Sequence, residues 1–313
     1  MNSTPHVLVT GGAGYLGSIL VPTLLARGCA VTVVDNFLYG QTSLLDCCAY
    51  ENFAIVRGDV RDERLMLPLL KKADVIMPLA CLVGAPLCAQ KPIEARSINL
   101  DAILMLLKNA SKAQRFISPT TNSGYGVGQA GVFCTEETPM NPISLYGVLK
   151  VELEKALLDA GAISLRLATV CGVSPRMRLD LLVNDFTYRA VVDRFVVLFE
   201  AHFKRNYVHV RDVARAFCHA LDHFDAMQGQ PYNVGLSDAN LSKMELCLEI
   251  QKQVPDFTIM EAPIGKDPDQ RNYIVSNAKI EATGYKPQVS IQRAIAELVK
   301  GYQVVRRNQH ANV

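Results

Sequence analysis

The chain has 313 residues, of which half are apolar and a fifth charged, an ordinary composition for a globular protein of one large or two modest domains. Its formal net charge is only +2. With no run of Lys or Arg, we expect neither nucleic acid nor a membrane surface as a partner. No apolar stretch has the roughly 18 residues that a membrane span needs. The first residues, Met1–Pro5, do not look like a signal peptide, so we expect a cytoplasmic protein.

Nine cysteines are scattered through apolar surroundings, with no CxxC pair and no zinc-ligand spacing. They are Cys29, Cys47, Cys48, Cys81, Cys88, Cys134, Cys171, Cys218 and Cys247. This usage predicts reduced core residues and no metal site. His219 and His223 stand four residues apart, but without a third ligand nearby we interpret them as an ordinary helix face.

The first half of the chain alternates between short apolar runs typical of strands and longer stretches typical of helices. The predicted strands are His6–Val9, Ala30–Asp35, Phe53–Asp59, Val75–Ala80, Arg115–Ser118 and Ala162–Thr169. The predicted helices are Gly14–Arg27, Glu63–Lys71, Ile93–Ala113 and Tyr146–Ala160. Such alternation predicts an α/β fold of the Rossmann type, a doubly wound parallel sheet with helices on both faces. Ligands of such sheets bind beyond the carboxyl ends of the strands.

The pattern becomes irregular after residue 172. An apolar helix is predicted at Val183–Val192, a strand and turn at Arg205–Asp212 that return to the sheet, a helix at Val213–His223, and a closing helix at Ile291–Arg306. We therefore predict a nucleotide-binding domain of residues 1–172 with about 205–235. A smaller, discontinuous substrate domain is predicted from 173–204 and 236–306. Residues 307–313 form a tail whose end, Asn308–Val313, should be frayed.

Three glycines in GxxGxxG order, Gly11, Gly14 and Gly17, follow the first strand and open the first helix. They permit a tight turn, close approach of the backbone to a pyrophosphate, and close packing of helix on strand. Asp35 ends the next strand, where its carboxylate suits both ribose hydroxyls and repels a 2′-phosphate. Because no Arg follows Asp35 closely, NAD is favoured over NADP. The alternative is a purely structural turn.

Further cofactor contacts are expected within the same loop and just after the following strands. They are Tyr15, Leu16, Asn36, Asp59, Val60, Leu79 and Ala80. Asp59 is placed either to meet the adenine edge or to cap a turn.

Tyr146 and Lys150 are four residues apart and therefore share one face of a predicted helix. A free phenol has a pKa of about 10 and is a poor base at neutral pH. A nearby ammonium favours the phenolate, and a second cation, such as an oxidised nicotinamide, would lower the phenol pKa further. By itself the spacing is also compatible with a surface helix.

With the glycine loop, Asp35 and the Tyr146/Lys150 pair in this order, the chain resembles the extended short-chain dehydrogenase/reductase family. Its nucleotide-sugar epimerase/dehydratase branch fits best, over roughly Val7–Tyr302. The likeness also includes the segments 118–126, 205–213 and 233–235.

This resemblance implies roles for particular residues. Thr121 matches the hydroxyl that binds the reacting sugar, Tyr146 the base, and Lys150 the residue that binds the nicotinamide ribose and lowers the Tyr pKa. Positions that hold the substrate's diphosphate or nucleotide are matched by Asn184, Arg205 and Arg271, with Arg176 and Arg178 as further candidates.

The chain departs from the 4,6-dehydratases of this family at Asn122 and Ser123, which stand where those enzymes carry Asp-Glu. Neither side chain can serve as acid or base at neutral pH, although both remain expected substrate contacts. Elimination of water is therefore disfavoured, and oxidation at carbon 4, or oxidation and reduction giving 4-epimerisation, is favoured. Cys81 and Cys134 remain alternative candidates for a second acid or base.

Segments 82–88, 120–126, 174–180 and 271–277 further resemble the GDP-D-glycero-D-manno-heptose 4-dehydrogenases of bacterial capsule biosynthesis. This implies an NAD-dependent oxidation at carbon 4 of a GDP-heptose. The resemblance also implies a homodimer through the helices at Ile93–Ala113 and Tyr146–Ala160. A dinucleotide-sensing protein without catalysis is a weaker hypothesis, because both Tyr146 and Lys150 are present.

Overall fold

A computed structural model describes residues 4–265 and 270–305. Its strands are β1 (His6–Thr10), β2 (Ala30–Asp35), β3 (Phe53–Arg57), β4 (Val75–Pro78), β5 (Arg115–Thr121), β6 (Phe133–Cys134), β7 (Ile163–Leu167), β8 (Thr169–Cys171), β9 (Phe195–Leu198), β10 (Lys204–His209), β11 (Pro231–Val234), β12 (Asn240–Ser242), β13 (Thr258–Glu261) and β14 (Ile274–Val275).

The helices surround these strands. They are α1 (Gly17–Ala26), α2 (Glu63–Leu70), α3 (Ala85–Gln90), α4 (Pro92–Arg96), α5 (Ala102–Asn109), α6 (Leu145–Asp159), α7 (Leu182–Val192), α8 (Val210–Asp222), α9 (Phe224–Met227), α10 (Lys243–Gln251), α11 (Ala278–Ala282) and α12 (Ile291–Gly301). Short 3₁₀ turns occupy Leu45–Ala49 and Asn122–Tyr125, and a π-helical turn occupies Ser97–Asp101. None of the helices in the described ranges is long and apolar enough to span a membrane.

The main sheet has seven parallel strands in the order β11-β7-β5-β4-β1-β2-β3. Its inner strands are buried on both faces because helices cover each side, whereas the edge strand β3 is partly exposed. In β1, Val7 and Val9 enter the core that contains α1 and α8, whereas Leu8 enters the opposite core with α2, α5 and α6. This alternation confirms the predicted Rossmann-type fold.

A third core lies in the C-terminal half, between α7, α10 and α12. It includes Phe186, Leu246 and Ile295. Beside it lie a three-stranded sheet, β12-β10-β8, and the parallel pairs β13-β9 and β14-β6. This region holds many of the residues that the sequence assigns to a substrate domain, together with β6, β8 and β10, most of which the sequence assigns to the nucleotide-binding domain. The domain boundaries themselves stay a prediction.

Three predicted elements are wrong in detail. The strand expected at Ala162–Thr169 is divided at Ala168, because β7 pairs in the main sheet and β8 pairs with β10. The strand expected to return at Arg205–Asp212 therefore lies in the small sheet, and β11 is the strand that joins the main sheet. The helix expected at Ile93–Ala113 is interrupted by the π-helical turn and ends at Asn109.

Other element ends shift by a few residues. The first helix begins at Gly17, and β5 continues to Thr121. The closing helix ends at Gly301, and its predicted end at Arg306, like the tail 307–313, lies outside the described residues.

Candidate active site

A cavity of about 1290 Å³ lies beyond the carboxyl ends of the main-sheet strands. Its wall takes residues from the segments that follow β1, β2, β3, β4, β5 and β7. This is the edge at which doubly wound sheets bind ligands. The volume exceeds the roughly 300–1,000 Å³ of an ordinary small-molecule pocket, so the cavity has room for two extended ligands.

The glycine loop forms one end of this cavity, with Gly11, Gly14, Tyr15, Leu16 and Gly17 all in its wall. Gly11 has φ +68, which brings the loop against the segment after β4. A Cβ at Gly11 would lie 2.6 Å from the Ala80 main chain, and one at Gly17 would lie 2.4 Å from the Gly12 carbonyl oxygen. The backbone is thus free of side-chain bulk beside the N-terminus of α1, as a bound pyrophosphate requires.

Asp35 holds this loop together and also lines the cavity. Its carboxylate accepts hydrogen bonds from the backbone N–H groups of Ala13 at 3.0 Å and Phe37 at 2.8 Å. Burial raises the pKa of Asp35, and those two hydrogen bonds oppose the rise. A carboxylate at this edge, with the glycine loop beside it, fits the adenosine ribose of an NAD molecule.

The other predicted cofactor contacts also line the cavity: Asn36, Asp59, Val60, Leu79 and Ala80. The carboxylate of Asp59 forms an ion pair with Arg61 at 2.5 Å and accepts from its backbone N–H at 2.9 Å. These contacts hold the pKa of Asp59 below its usual range. Asp59 therefore stabilises the turn after β3 and also forms part of the cavity wall.

Thr121, Tyr146 and Lys150 all line the same cavity. Thr121 ends β5, and its Oγ1 donates to Ser123 Oγ at 3.0 Å. Tyr146 and Lys150 lie in the first two turns of α6, which begins at an N-cap in which Ser144 Oγ accepts from the Gly147 N–H. Lys150 is almost fully buried, and its Nζ donates to the Pro119 carbonyl oxygen at 3.2 Å. A hydroxyl, a phenol and an ammonium therefore face one space.

The protein without its cofactor does not show the expected lowering of the Tyr146 pKa by Lys150. Burial raises the pKa of Tyr146 well above its usual range, and the guanidinium groups of Arg178 and Arg271 only partly oppose this. The reason is geometric, because the Lys150 ammonium is directed to the Pro119 carbonyl oxygen.

Of the predicted substrate contacts, Ser123, Arg176, Arg178, Arg205 and Arg271 line the cavity. Each of the four arginines contacts a neighbouring side chain. Arg271 donates to Ser123 Oγ, and Arg178 forms an ion pair with Asp180 at 2.6 Å. The guanidinium carbon of Arg176 lies 4.3 Å from the centre of the Tyr39 ring, and that of Arg205 lies 5.8 Å from the centre of the Tyr273 ring.

Asn122 and Asn184 are placed differently from the prediction, since both are buried outside the described cavity wall. Asn184 Oδ1 accepts from the Gly172 N–H at 3.0 Å, and its Nδ2 donates to the Arg178 carbonyl oxygen at 2.8 Å. Its amide thus shapes the loop that carries Arg176 and Arg178. Asn122 is buried at the start of the 3₁₀ turn after β5, and its amide oxygen and nitrogen have no hydrogen-bond partner among the described residues.

Sequence reasoning missed several cavity residues, of which Lys243 and Asp180 carry charge. Lys243 begins α10 and donates from Nζ to the Phe199 carbonyl oxygen at 2.8 Å. No motif marks it, because the cavity reaches it only through the tertiary fold. The spacing of Arg178 and Asp180 could have indicated their ion pair. Burial would raise the pKa of Asp180, but Arg178 beside it holds it below its usual range.

The two cysteines left open as an acid/base differ in position. Cys81 lines the cavity, whereas Cys134 is buried beside Tyr125 and Tyr273, outside the described wall. Burial raises the pKa of Cys81, which keeps it a neutral thiol despite Lys150 nearby.

All nine cysteines are free, and seven of them are buried. Cys48 is exposed, so the prediction of a core position is wrong for it. His219 and His223 pack ring to ring at 4.4 Å, and His219 Nε2 bonds Thr283 Oγ1 at 2.8 Å. Within the described ranges no group of three or more His, Cys, Asp or Glu side chains could hold a metal ion.

Comparison with known proteins relates this chain to one family of enzymes. The model of the NAD dependent epimerase/dehydratase family matches residues 7–235. UDP-glucuronic acid decarboxylase 2 of Arabidopsis thaliana is 28% identical over 315 residues, covering 95% of this chain and 68% of that protein.

Solved structures agree. UDP-glucose 4-epimerase of Thermus thermophilus, in complex with NAD, superposes with a TM-score of 0.82 at 26% identity, covering 96% of this chain and all of that one (100%). DesIV, a dTDP-glucose 4,6-dehydratase of Streptomyces venezuelae with NAD bound, superposes with a TM-score of 0.84 at 25% identity, covering 97% of this chain and 98% of that one.

Proposed function

The chain belongs to the NAD-dependent epimerase/dehydratase family of nucleotide-sugar enzymes, and we propose that it oxidises carbon 4 of a nucleotide-activated sugar to a ketone. The observation that carries this proposal is the convergence of Thr121, Tyr146 and Lys150 on the cavity that contains the glycine loop and Asp35. NAD is the cofactor, as in the NAD-bound relatives.

Each of the three residues has a distinct task in the proposed reaction. Thr121 binds the hydroxyl at carbon 4 and orients it. Tyr146 takes the proton of that hydroxyl, and Lys150 fixes the cofactor ribose. NAD bound along the glycine loop supplies the hydride acceptor and a positively charged ring. Arg178 and Arg271 add to this positive field, since both oppose the rise of the Tyr146 pKa.

The surroundings of Thr121 support simple oxidation over loss of water. Asn122 is buried, and the Ser123 hydroxyl is engaged by Arg271. The remaining candidate acid/base, Cys81, has a raised pKa and is neutral at ordinary pH. None of these three groups is therefore suited to be the second acid or base that loss of water from the sugar requires.

The substrate side of the cavity supports a nucleotide diphosphate. The guanidinium groups of Arg176, Arg205 and Arg271 line it, and a guanidinium fork matches phosphate oxygens. We propose that residues 173–204 and 236–306 form the substrate domain and that the remainder to 235 holds NAD. The likeness of segments 82–88, 174–180 and 271–277 to GDP-heptose 4-dehydrogenases supports a GDP-heptose as the sugar nucleotide.

We also propose a homodimer through α4, α5 and α6. Ile93 on α4 is 85% exposed and Val148 on α6 is 44% exposed, so apolar surface is available on these helices. Val148→Glu should convert a dimer to a monomer in light scattering after gel filtration, and a wild-type monomer would contradict the proposal.

A second candidate is a 4-epimerase that returns the hydride to the opposite face of the sugar. The similarity to UDP-glucose 4-epimerases favours it. The two reactions differ in outcome, because only the dehydrogenase accumulates ketone or reduced cofactor.

The test is incubation with GDP-, UDP-, dTDP- and ADP-sugars in deuterated water, with NADH absorbance and the product read together. A 4-dehydrogenase yields NADH and a 4-keto sugar, and a 4-epimerase yields the inverted sugar without net NADH. Turnover of none of these sugars by NAD-loaded protein would contradict both and revive a sensing role.

A further inference from the structure

A buried ion pair lies behind the catalytic helix, between Glu154 on α6 and Arg166 on β7. Arg166 donates from Nη2 to Glu154 Oε1 at 2.7 Å and from Nε to Oε2 at 3.0 Å. Their side chains are 7% and 6% exposed. Glu154 lies one helical turn beyond Lys150 and two beyond Tyr146, so its position fixes the helix that carries both.

The Glu154 carboxylate also holds hydroxyls of two strands. Its Oε2 accepts from Thr120 Oγ1 at 3.0 Å and from Ser164 Oγ at 2.7 Å. Thr120 directly precedes Thr121 on β5, and Ser164 lies on β7. One carboxylate therefore joins the helix of Tyr146 to the strand that ends at Thr121.

The Arg166 guanidinium extends the connection to the substrate side. Its Nη1 donates to Tyr125 Oη at 2.9 Å, and Tyr125 Oη donates to Asn233 Oδ1 at 2.7 Å. Asn233 Nδ2 in turn donates to the Ser276 carbonyl oxygen at 3.1 Å. Ser276 follows β14, in the same segment as Arg271.

Stability alone gives little reason for such a pair. Replacement of a buried ion pair by apolar side chains of similar volume is often neutral or stabilising, although removal of one partner is costly. Glu154, Arg166, Tyr125 and Asn233 lie outside the described cavity wall, so none of them contacts a ligand there. Their contacts instead fix the spacing between elements that meet at the site.

We propose that Glu154 and Arg166 are positioning residues for the oxidation, holding Tyr146 and Lys150 in register with Thr121 through the Thr120 hydroxyl. This inference rests on the proposed function, because it concerns the geometry of that reaction. A displacement of about 1 Å at a reacting group can cost on the order of 10²-fold in rate. The pair should therefore act on kcat and leave substrate binding largely intact.

The test compares two hydroxyls that bind the same carboxylate oxygen. Thr120→Val cuts the connection to β5 and keeps side-chain volume. Ser164→Ala removes a similar hydrogen bond on β7, together with the 2.8 Å contact between the Ser164 and Thr120 hydroxyls, but leaves the bond from Thr120 to Glu154 in place. We expect Thr120→Val to lower kcat about 10-fold, with KM and NAD affinity within about twofold of wild type, and Ser164→Ala to keep kcat within about twofold. Urea unfolding midpoints of the two variants should be similar.

The double variant Glu154→Leu with Arg166→Met provides a second test, which separates the effect of the ion pair on stability from its effect on kcat. We expect a midpoint at or above that of wild type, because both charges leave the core together, but a kcat at least about 10-fold lower. A double variant with wild-type kcat, or equal kcat in Thr120→Val and Ser164→Ala, would show a structural role only. Wild-type protein without hydride transfer to NAD would contradict the proposed function itself, and the positioning role with it.

Discussion

Gly11→Ala tests the close approach of the glycine loop to the segment after β4. At φ +68 an Ala pays about 1–2 kcal/mol for the left-handed backbone. Its Cβ would also lie 2.6 Å from the N and Cα atoms of Ala80 and 2.9 Å from the Leu79 carbonyl carbon. These are main-chain atoms that cannot turn aside, so overpacking adds about 1–3 kcal/mol. We expect a loss of about 2–5 kcal/mol in the free energy of unfolding.

Gly28→Ala is the matched control. Gly28 has φ +88, but a Cβ there would meet no atom within 4 Å. This variant should lose only the backbone cost of about 1–2 kcal/mol and bind NAD as wild type does. Urea unfolding and calorimetric titration with NAD measure both quantities, and NAD affinity should fall at least about 10-fold in Gly11→Ala. Equal stability and equal NAD affinity in the two variants would refute the close approach.

Three further predictions concern the phenol, the carboxylate at the ribose and a buried imidazole. Tyr146→Phe should lower kcat by about 10²–10⁴-fold with NAD affinity unchanged; undiminished turnover in a steady-state assay would remove Tyr146 as the base. Asp35→Ser should raise the affinity for NADP relative to NAD by about 10-fold in paired titrations, because the carboxylate that repels a 2′-phosphate is gone; an unchanged ratio would contradict its role. Burial lowers the pKa of His209 to about 4, so between this value and about 6.5 the unfolded state binds the extra proton. Stability should therefore fall by up to about 3 kcal/mol as pH decreases through that window. Urea unfolding across the window should show a flatter dependence for His209→Asn, and an identical slope would assign the effect to other groups.

The cofactor end of the site was predictable from sequence because its signal is local. The strand before Gly11, the helix after Gly17 and the position of Asp35 at the end of β2 follow from adjacent residues. Thr121 and Tyr146 are distant in sequence, and their assignment depended on the family resemblance, since one ends β5 and the other lies in the first turn of α6.

Side-chain direction was not predictable in the same way. Asn184 lies on a helix beside the cavity, yet its amide is directed to the Gly172 and Arg178 main chain. The break at Ala168 has a similar origin, because neighbouring residues there pair with different sheets. The Tyr146 pKa depends on burial by the whole fold, which the spacing to Lys150 does not encode.

The Glu154–Arg166 pair shows what a motif search leaves out. Its two residues bind no ligand in the described cavity and carry no motif, but they connect α6, β5 and β7. Only the tertiary fold brings Thr120 and Ser164 to the same carboxylate oxygen.

The most direct test is a single turnover of the NAD-loaded protein with a nucleotide sugar that carries deuterium at carbon 4. Oxidation there predicts that the label moves to the cofactor and that NADH forms more slowly than with unlabelled sugar. In deuterated water, unlabelled sugar should gain no deuterium at carbons 3 or 5 during the turnover. Solvent deuterium at either carbon, or a cofactor without label, would contradict oxidation at carbon 4.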